Sequence, residues 1–321
     1  MTMTDERFSF LGIGTEQGQK NLGLIKSPNV ALELMPLGWP KMTFKILQQQ
    51  SETKKVHRSS DLQLLDWTIY KKAYAAIIKN FNIGLTQINW GGDHSIGLAT
   101  VSSFLSHFPN GYIIWIDAHA DLNTPESSPT GNFHGMPLSY LMGISQSPLS
   151  RNCPFWGVLD PKKIIYIGLR DLDPYEKYLI RLFGIKTYFC DELHSCNFIN
   201  ILHEIKTLIS NYPIHISFDI DSIDPVLAAS TGVPSPQGLQ LFQLQLIASA
   251  LSLNQNIKSI DIVEINPEIG SREEVLKTYA IAFDFLDSLF NFNRRYKNDA
   301  NYKPNKNYLP ITNKWDLLLF P

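Results

Sequence analysis

Short apolar runs alternate with longer amphipathic ones along most of the chain. The short runs, rich in Ile, Tyr and Phe, predict strands at Phe8–Gly12, Thr86–Trp90, Tyr112–Ile116, Ile164–Leu169, Lys186–Phe189, Ile214–Phe218 and Ser259–Val263. Apolar positions at helical spacing predict helices at Asp61–Asn80, Ser95–His107, Pro174–Phe183, Asn197–Asn211, Leu239–Leu253 and Ser271–Asn291. Ser271 is followed by Glu273 and Glu274, and negative charge suits the positive end of a helix dipole. Alternation of this kind predicts an α/β fold with a mostly parallel sheet covered by helices on both faces. There is no internal repeat and no Pro/Gly/Ser linker, so residues 1–321 read as a single domain with a polar tail at about 292–321. The tail closes on "WDLLLFP", a candidate for docking on the body or on a neighbouring subunit.

Ligands of such a sheet collect outside the carboxyl ends of its strands. Five predicted strands lead into polar segments: "GGDHS" after Trp90, "DAHAD" after Ile116, "RDLDPYE" after Leu169, "DIDSIDP" after Phe218 and "EINPE" after Val263. In extended chain, residues two apart point to the same side. Asp117, His119 and Asp121 then converge while Ala118 and Ala120 keep the other side small; Asp219 and Asp221 share a face in the same way. His94 follows two glycines that let the backbone turn sharply. Any one of these side chains alone reads equally well as a helix cap or a strand-end hydrogen-bonding group. Together they are four carboxylates and two imidazoles. Buried unpaired, the carboxylates would repel one another and hold protons, and divalent cations relieve that. Six mixed nitrogen and oxygen donors are too many for one tetrahedral zinc and suit manganese better. Two ions sharing bridging carboxylates would leave a water to be activated.

Composition narrows the alternatives. The chain is 44% hydrophobic, enough for a sizeable core, and 28 basic against 30 acidic residues give a net charge of −2. That balance lacks the basic footprint of a nucleic-acid binder. The N-terminus has no basic segment followed by an apolar one, and no apolar stretch approaches the roughly 18 residues of a membrane span. Cys153, Cys190 and Cys196 form no CxxC pair and are expected to be reduced, partly buried thiols of a cytoplasmic protein.

The motifs "GGDHS", "DAHADLNTP", "GNFHG", "GLRDLDPYE", "SFDIDSIDP", "TGVPSPQGL" and "DIVEINP" stand in one order between Ile88 and Pro267. In this the chain resembles the ureohydrolase superfamily, and within it the arginases. The resemblance implies a three-layer α/β/α fold around a sheet of about eight strands. It implies two Mn²⁺ ions per subunit held by His94, Asp117, His119, Asp121, Asp219 and Asp221, with Asp117 and Asp219 bridging. A hydroxide between the ions would attack the guanidinium carbon of L-arginine, giving L-ornithine and urea. His134, Asp121 and Glu264 are the catalytic candidates. Glu264 would pair with the guanidinium, and His134 would carry a proton to the leaving amine or between the metal water and bulk.

By the same resemblance, Asn123, Ser128 and Thr130 would bind the α-carboxylate, and Asn132 and Asp173 would lie near the α-ammonium, with Asp171 and Glu176 supporting that wall. Agmatine would leave several of these groups unpaired, which separates an arginase from an agmatinase, a guanidinobutyrase or a formimidoylglutamase. A catalytically silent relative would have lost ligands, and no loss is visible. Asp93 and Asp224 are candidates to hold the ligand imidazoles or order their loops, although Asp224 also reads as a turn former before Pro225. Relatives with this pattern are homo-oligomers, commonly trimers or hexamers. Three departures stand out: Pro129 where a small hydroxyl residue is expected, Val233 where arginases carry a threonine, and a segment before about residue 80 that follows the family loosely.

Overall fold

The computed structural model of the chain describes residues 7–36, 39, 42–49, 65–145, 153–254 and 256–292. Residues 293–321, with the expected docking segment, and the first turn of the expected 61–80 helix lie outside that set.

Eight strands form one sheet: β1 (Phe8–Gly14), β2 (Thr43–Gln48), β3 (Thr86–Gly91), β4 (Tyr112–Ile116), β5 (Ile164–Leu169), β6 (Lys186–Phe189), β7 (Ile214–Asp219) and β8 (Ile257–Val263). Their order is β2-β1-β3-β8-β7-β4-β5-β6. Every pairing is parallel, so the sheet is wholly rather than mostly parallel. Parallel strands covered on both faces need apolar side chains on both, which explains the near-continuous runs. In β4, Ile114 and Ile116 join one core cluster while Ile113 and Trp115 join the other. Burying each such isoleucine contributes on the order of 1.5–3 kcal/mol.

The first face is covered by helices α1 (Ser27–Leu34), α6 (Cys190–Leu193), α7 (Phe198–Ile209), α8 (Leu241–Ser252) and α9 (Arg272–Phe290). The second is covered by α2 (Trp67–Asn82), α3 (Gly97–His107), α4 (Pro137–Leu141) and α5 (Pro174–Phe183). The result is the expected three-layer α/β/α arrangement. Helix α2 starts at Trp67, not Asp61, because the Asp66 side chain accepts the N–H of Thr68 at 2.8 Å and caps it there. Helix α9 begins after Ser271, whose side chain and Glu274 form a reciprocal cap. Strand β2 was not expected: it is an edge strand, mostly exposed, and lacks the apolar run of its neighbours.

Four central strands lie side by side in the order β3-β8-β7-β4. Their carboxyl ends lead into His94, Glu264, Asp219 and Asp117, so candidate residues far apart in sequence share one edge of the sheet. Cys153 and Cys190 are buried thiols, whereas Cys196 is exposed, contrary to expectation. No helix among the described residues is long and apolar enough to cross a membrane.

Candidate metal centre and substrate cleft

The six expected ligands meet, though not by the expected geometry. Residues 117–119 form a bend, and Asp121 has a left-handed φ of 51°. Asp219 ends β7, and Asp221 sits in a 3-10 turn over Ile220–Ser222. Extended alternation therefore does not bring these side chains together; tight turns after the strands do. A left-handed aspartate is strained, and such strain is retained where the surroundings over-determine it. Here the Asp121 carbonyl accepts the N–H of Leu138 at 3.1 Å, and the neighbouring Ala120 carbonyl accepts the Tyr166 hydroxyl at 2.6 Å.

Two clusters result. Nδ1 of His94 faces Oδ2 of Asp117, Asp121 and Asp219 at 3.1, 3.0 and 3.1 Å. Nδ1 of His119 faces Oδ1 of Asp117 at 3.5 Å and Oδ2 of Asp221 at 3.1 Å. Asp117 thus offers a different oxygen to each imidazole. Asp219 meets the His94 cluster through Oδ2, and its other oxygen, on the side of Asp221, accepts the N–H of that residue at 2.9 Å. The rest of the cluster is fixed by neighbours. The indole of Trp115 stacks on His94 at 4.1 Å and donates to Asp117 at 3.0 Å, while Nε2 of His94 meets the Ser217 hydroxyl at 2.8 Å. The Arg170 guanidinium donates to the carbonyls of Asp221, Ser222, Ser235 and Pro236, tying the loops after β7 together. A Cβ at Gly92 would fall 1.8 Å from the Thr15 carbonyl oxygen, so glycine is required two residues before His94.

The donor set fits divalent cations. Nδ1 of His94 and Oδ2 of Asp121 are buried and, although 3.0 Å apart, are not aligned as a hydrogen bond with each other or with any other group. Burial and repulsion from Asp117 push Asp121 up to about 6. Burial, Asp221 and Asp117 hold Asp219 well above the usual carboxylate range, and burial likewise raises Asp221. Burial opposes charging of His94, but the surrounding carboxylates raise it well above an ordinary imidazole. The protein alone thus relieves the cluster by holding protons, and a cation would displace them. His94, Asp117 and Asp121 form one group within binding distance of a common ion, and Asp117, His119 and Asp221 form another.

A cavity of about 210 Å³ opens over these residues. Its wall carries Asn123, Ser128, Thr130, Asn132, His134, Asp171, Asp173, Glu176 and Val233. Asn123 is cross-tied, donating to Asp173 at 2.8 Å and accepting from Ser127 at 3.0 Å. The hydroxyl of Ser128 accepts the N–H of Gly131 at 3.0 Å, and that of Thr130 accepts the N–H of Asn132 at 3.2 Å. Oε1 and Oε2 of Glu176 accept the N–H groups of Leu122 and Asp173 at 3.1 and 3.0 Å. Asp171 is exposed, 3.6 Å from Nε2 of His119. Pro129 is exposed and off the lining.

Glu264 lies buried beneath the cleft at a left-handed φ of 63°. Its Oε1 accepts from the backbone of His94 and from Nδ1 of His134, and its Oε2 from Gln19. Burial opposes charging of His134, but Glu264, with Asp121 and Asp93 behind it, lifts it to about 9. Asp93 orders loops rather than an imidazole: it accepts the N–H groups of Gly18 and Ser95 at 2.8 and 3.1 Å. Asp224 is a turn former, accepting the N–H groups of Val226 and Gly238, each at 3.1 Å. Gln19, Ser217 and Arg170 were not expected. Each acts on residues distant in sequence; Arg170 and Ser217 stand inside motifs whose acidic residues carry the signal, and Gln19 stands outside them.

The chain is similar to known proteins along most of its length. The arginase family matches residues 7–290. The chain belongs to the arginase family. It is 31% identical over 295 residues to an arginase of Entamoeba histolytica, covering 88% of this chain and 99% of that one. The crystal structure of the Entamoeba histolytica arginase with L-ornithine superposes with a TM-score of 0.77 at 29% identity, covering 90% of this chain and 99% of that one. An arginase from Bacillus subtilis gives a TM-score of 0.79 at 26% identity, covering 88% and 97%.

Proposed function

We propose that this protein hydrolyses L-arginine to L-ornithine and urea at a pair of Mn²⁺ ions. His94 and Asp121 would hold one ion, His119 and Asp221 the other, and Asp117 and Asp219 both. The observation that carries the reading is Asp117 itself, one carboxylate oxygen facing each imidazole. When bound, the ions neutralise the crowded carboxylates, lower the pKa of water and act as Lewis acids.

The chain's own residues do the rest. Glu264 accepts N–H groups of the guanidinium, orienting its carbon toward the cluster. Water adds to that carbon, the bond from carbon to the side-chain nitrogen breaks, and the leaving amine takes up a proton. His134 is the donor: the Glu264 carboxylate keeps it protonated near neutral pH, and it stands at the cleft. Ser128, Thr130, Asn132 and Asp173, with Asn123 and Glu176 bracing them, read the amino-acid end of the substrate. A homo-oligomer, trimer or hexamer, and a cytoplasmic location belong to the same proposal on family resemblance alone.

The test is urea release by the Mn²⁺-loaded protein with L-arginine and agmatine side by side. Preference for arginine supports the reading. Preference for agmatine keeps the metal chemistry and removes the assignment of the loop. Release from neither rejects the proposal.

A further inference from the structure

Gln19 is 1% exposed, and its Nε2 donates to Oε2 of Glu264 at 2.6 Å. A carboxylate only accepts, so this contact fixes which end of the amide is nitrogen. The carbonyl oxygen Oε1 is then buried without a hydrogen-bond partner. It borders the substrate wall: a Cβ at Gly232 would lie 3.0 Å from it, and the next residue, Val233, lines the cleft.

The backbone around Gln19 is held on both sides. Gly18 donates to Asp93 at 2.8 Å and accepts the N–H of His134 at 3.1 Å. A Cβ at Gly18 would stand 2.9 Å from that His134 nitrogen, so only glycine fits. The Gln17 side chain closes a pair of hydrogen bonds with the backbone of Asp66 at 3.0 and 3.2 Å. The amide of Gln19 is therefore presented rigidly, bonded directly to Glu264, with the preceding Gly18 bonded to the backbone of His134.

Glu264 alone leaves a guanidinium under-served. Its Oε1 already accepts from His94 and His134, and its Oε2 from Gln19. A guanidinium has only donors and needs several acceptors. A neutral amide oxygen supplies one without adding negative charge to an acidic site.

We propose that Gln19 is a positioning and specificity residue for the guanidino group. Its Nε2 sets the Glu264 carboxylate, and its Oε1 accepts an N–H of the substrate. This rests on the proposed function, in which a guanidino substrate sits beside Glu264.

The test uses the full chain loaded with Mn²⁺, as wild type and Gln19→Met. The readouts are kcat and KM for L-arginine, and inhibition constants for guanidinium chloride and L-ornithine. The expected result is a rise of at least about tenfold in KM and in the guanidinium constant, the scale of one lost hydrogen bond to a charged group. The ornithine constant stays unchanged, because ornithine has no guanidino group. If Gln19→Met fails to fold, as judged by melting temperature and Mn²⁺ content, Gln19→Asn carries the same test by withdrawing the amide one methylene. An unchanged guanidinium constant, or an ornithine constant that rises in parallel, overturns the assignment of Gln19. Wild-type protein that neither hydrolyses arginine nor binds guanidinium overturns the functional reading instead.

Discussion

Nδ1 of His134 lies 2.9 Å from Oε1 of Glu264, and the same oxygen accepts the backbone N–H of His94 at 2.8 Å. One buried carboxylate therefore joins a candidate proton donor to the turn that carries a candidate metal ligand. His134 belongs to neither group of candidate metal ligands, so its loss should spare metal binding. His134→Ala is expected to lower kcat by about 10²–10⁴, the usual worth of a general acid, with Mn²⁺ content unchanged. Stopped-time urea assays and elemental analysis check both halves. Unchanged turnover would remove the donor role.

Asp117 makes the opposite case. Its two oxygens face the two imidazoles, so both clusters depend on it. Asp117→Ala should release both ions and reduce activity by more than the roughly hundredfold that losing a supporting partner of a ligand costs. Elemental analysis after gel filtration decides it. Normal manganese in the variant would contradict the shared role.

Glu176 provides a stability test away from the ligands. Burial pushes it up to about 7, against the pull of the Asp173 and Leu122 N–H groups, from 4.5 in an unfolded chain. Between those values the folded state keeps a proton that the unfolded state has lost. Stability from this group therefore falls as pH rises from 4.5 through about 7, by about 3 kcal/mol in all. Glu176→Gln has no such proton, so it should gain on the wild type by up to that amount between acid and about pH 8. Denaturant melts of both proteins at the two pH values measure the gain. A difference that does not change with pH would show that Glu176 binds its proton no more tightly in the folded chain than in the unfolded one.

Much of this was legible in the sequence because its physics is local. Buried parallel strands must be apolar on both faces, so the six inner strands announce themselves as runs; of the two edge strands, β6 is still marked by Tyr188 and Phe189, while β2, with no buried position, is not. The ligand set was legible because metal chemistry demands particular side chains immediately after strands. The backbone that gathers them was misread as extended, since left-handed conformations at Asp121 and Glu264 are held by contacts distant in sequence. Gln19 meets Glu264 across 245 positions of sequence, and Arg170 grips carbonyls 51 to 66 positions away. Such pairings appear only once the strands are ordered.

Val233 offers a gain-of-function test. It stands half-buried on the cleft wall with no polar atom on its side chain. Threonine has nearly the same shape, and the cleft is open enough that its hydroxyl would be solvated when no substrate is bound. The substitution should therefore leave stability nearly unchanged and add one acceptor when the substrate arrives. A neutral hydrogen bond is worth about 0.5–1.5 kcal/mol, so KM should fall roughly two- to tenfold. The position also decides which substrates benefit. Gly232 adjoins Oε1 of Gln19, which places Val233 on the guanidino side of the cleft. Val233→Thr should then lower KM for arginine and for agmatine alike. A gain confined to arginine would move this wall to the amino-acid end of the substrate, and no gain with either would mean that the side chain at 233 does not reach the bound guanidinium.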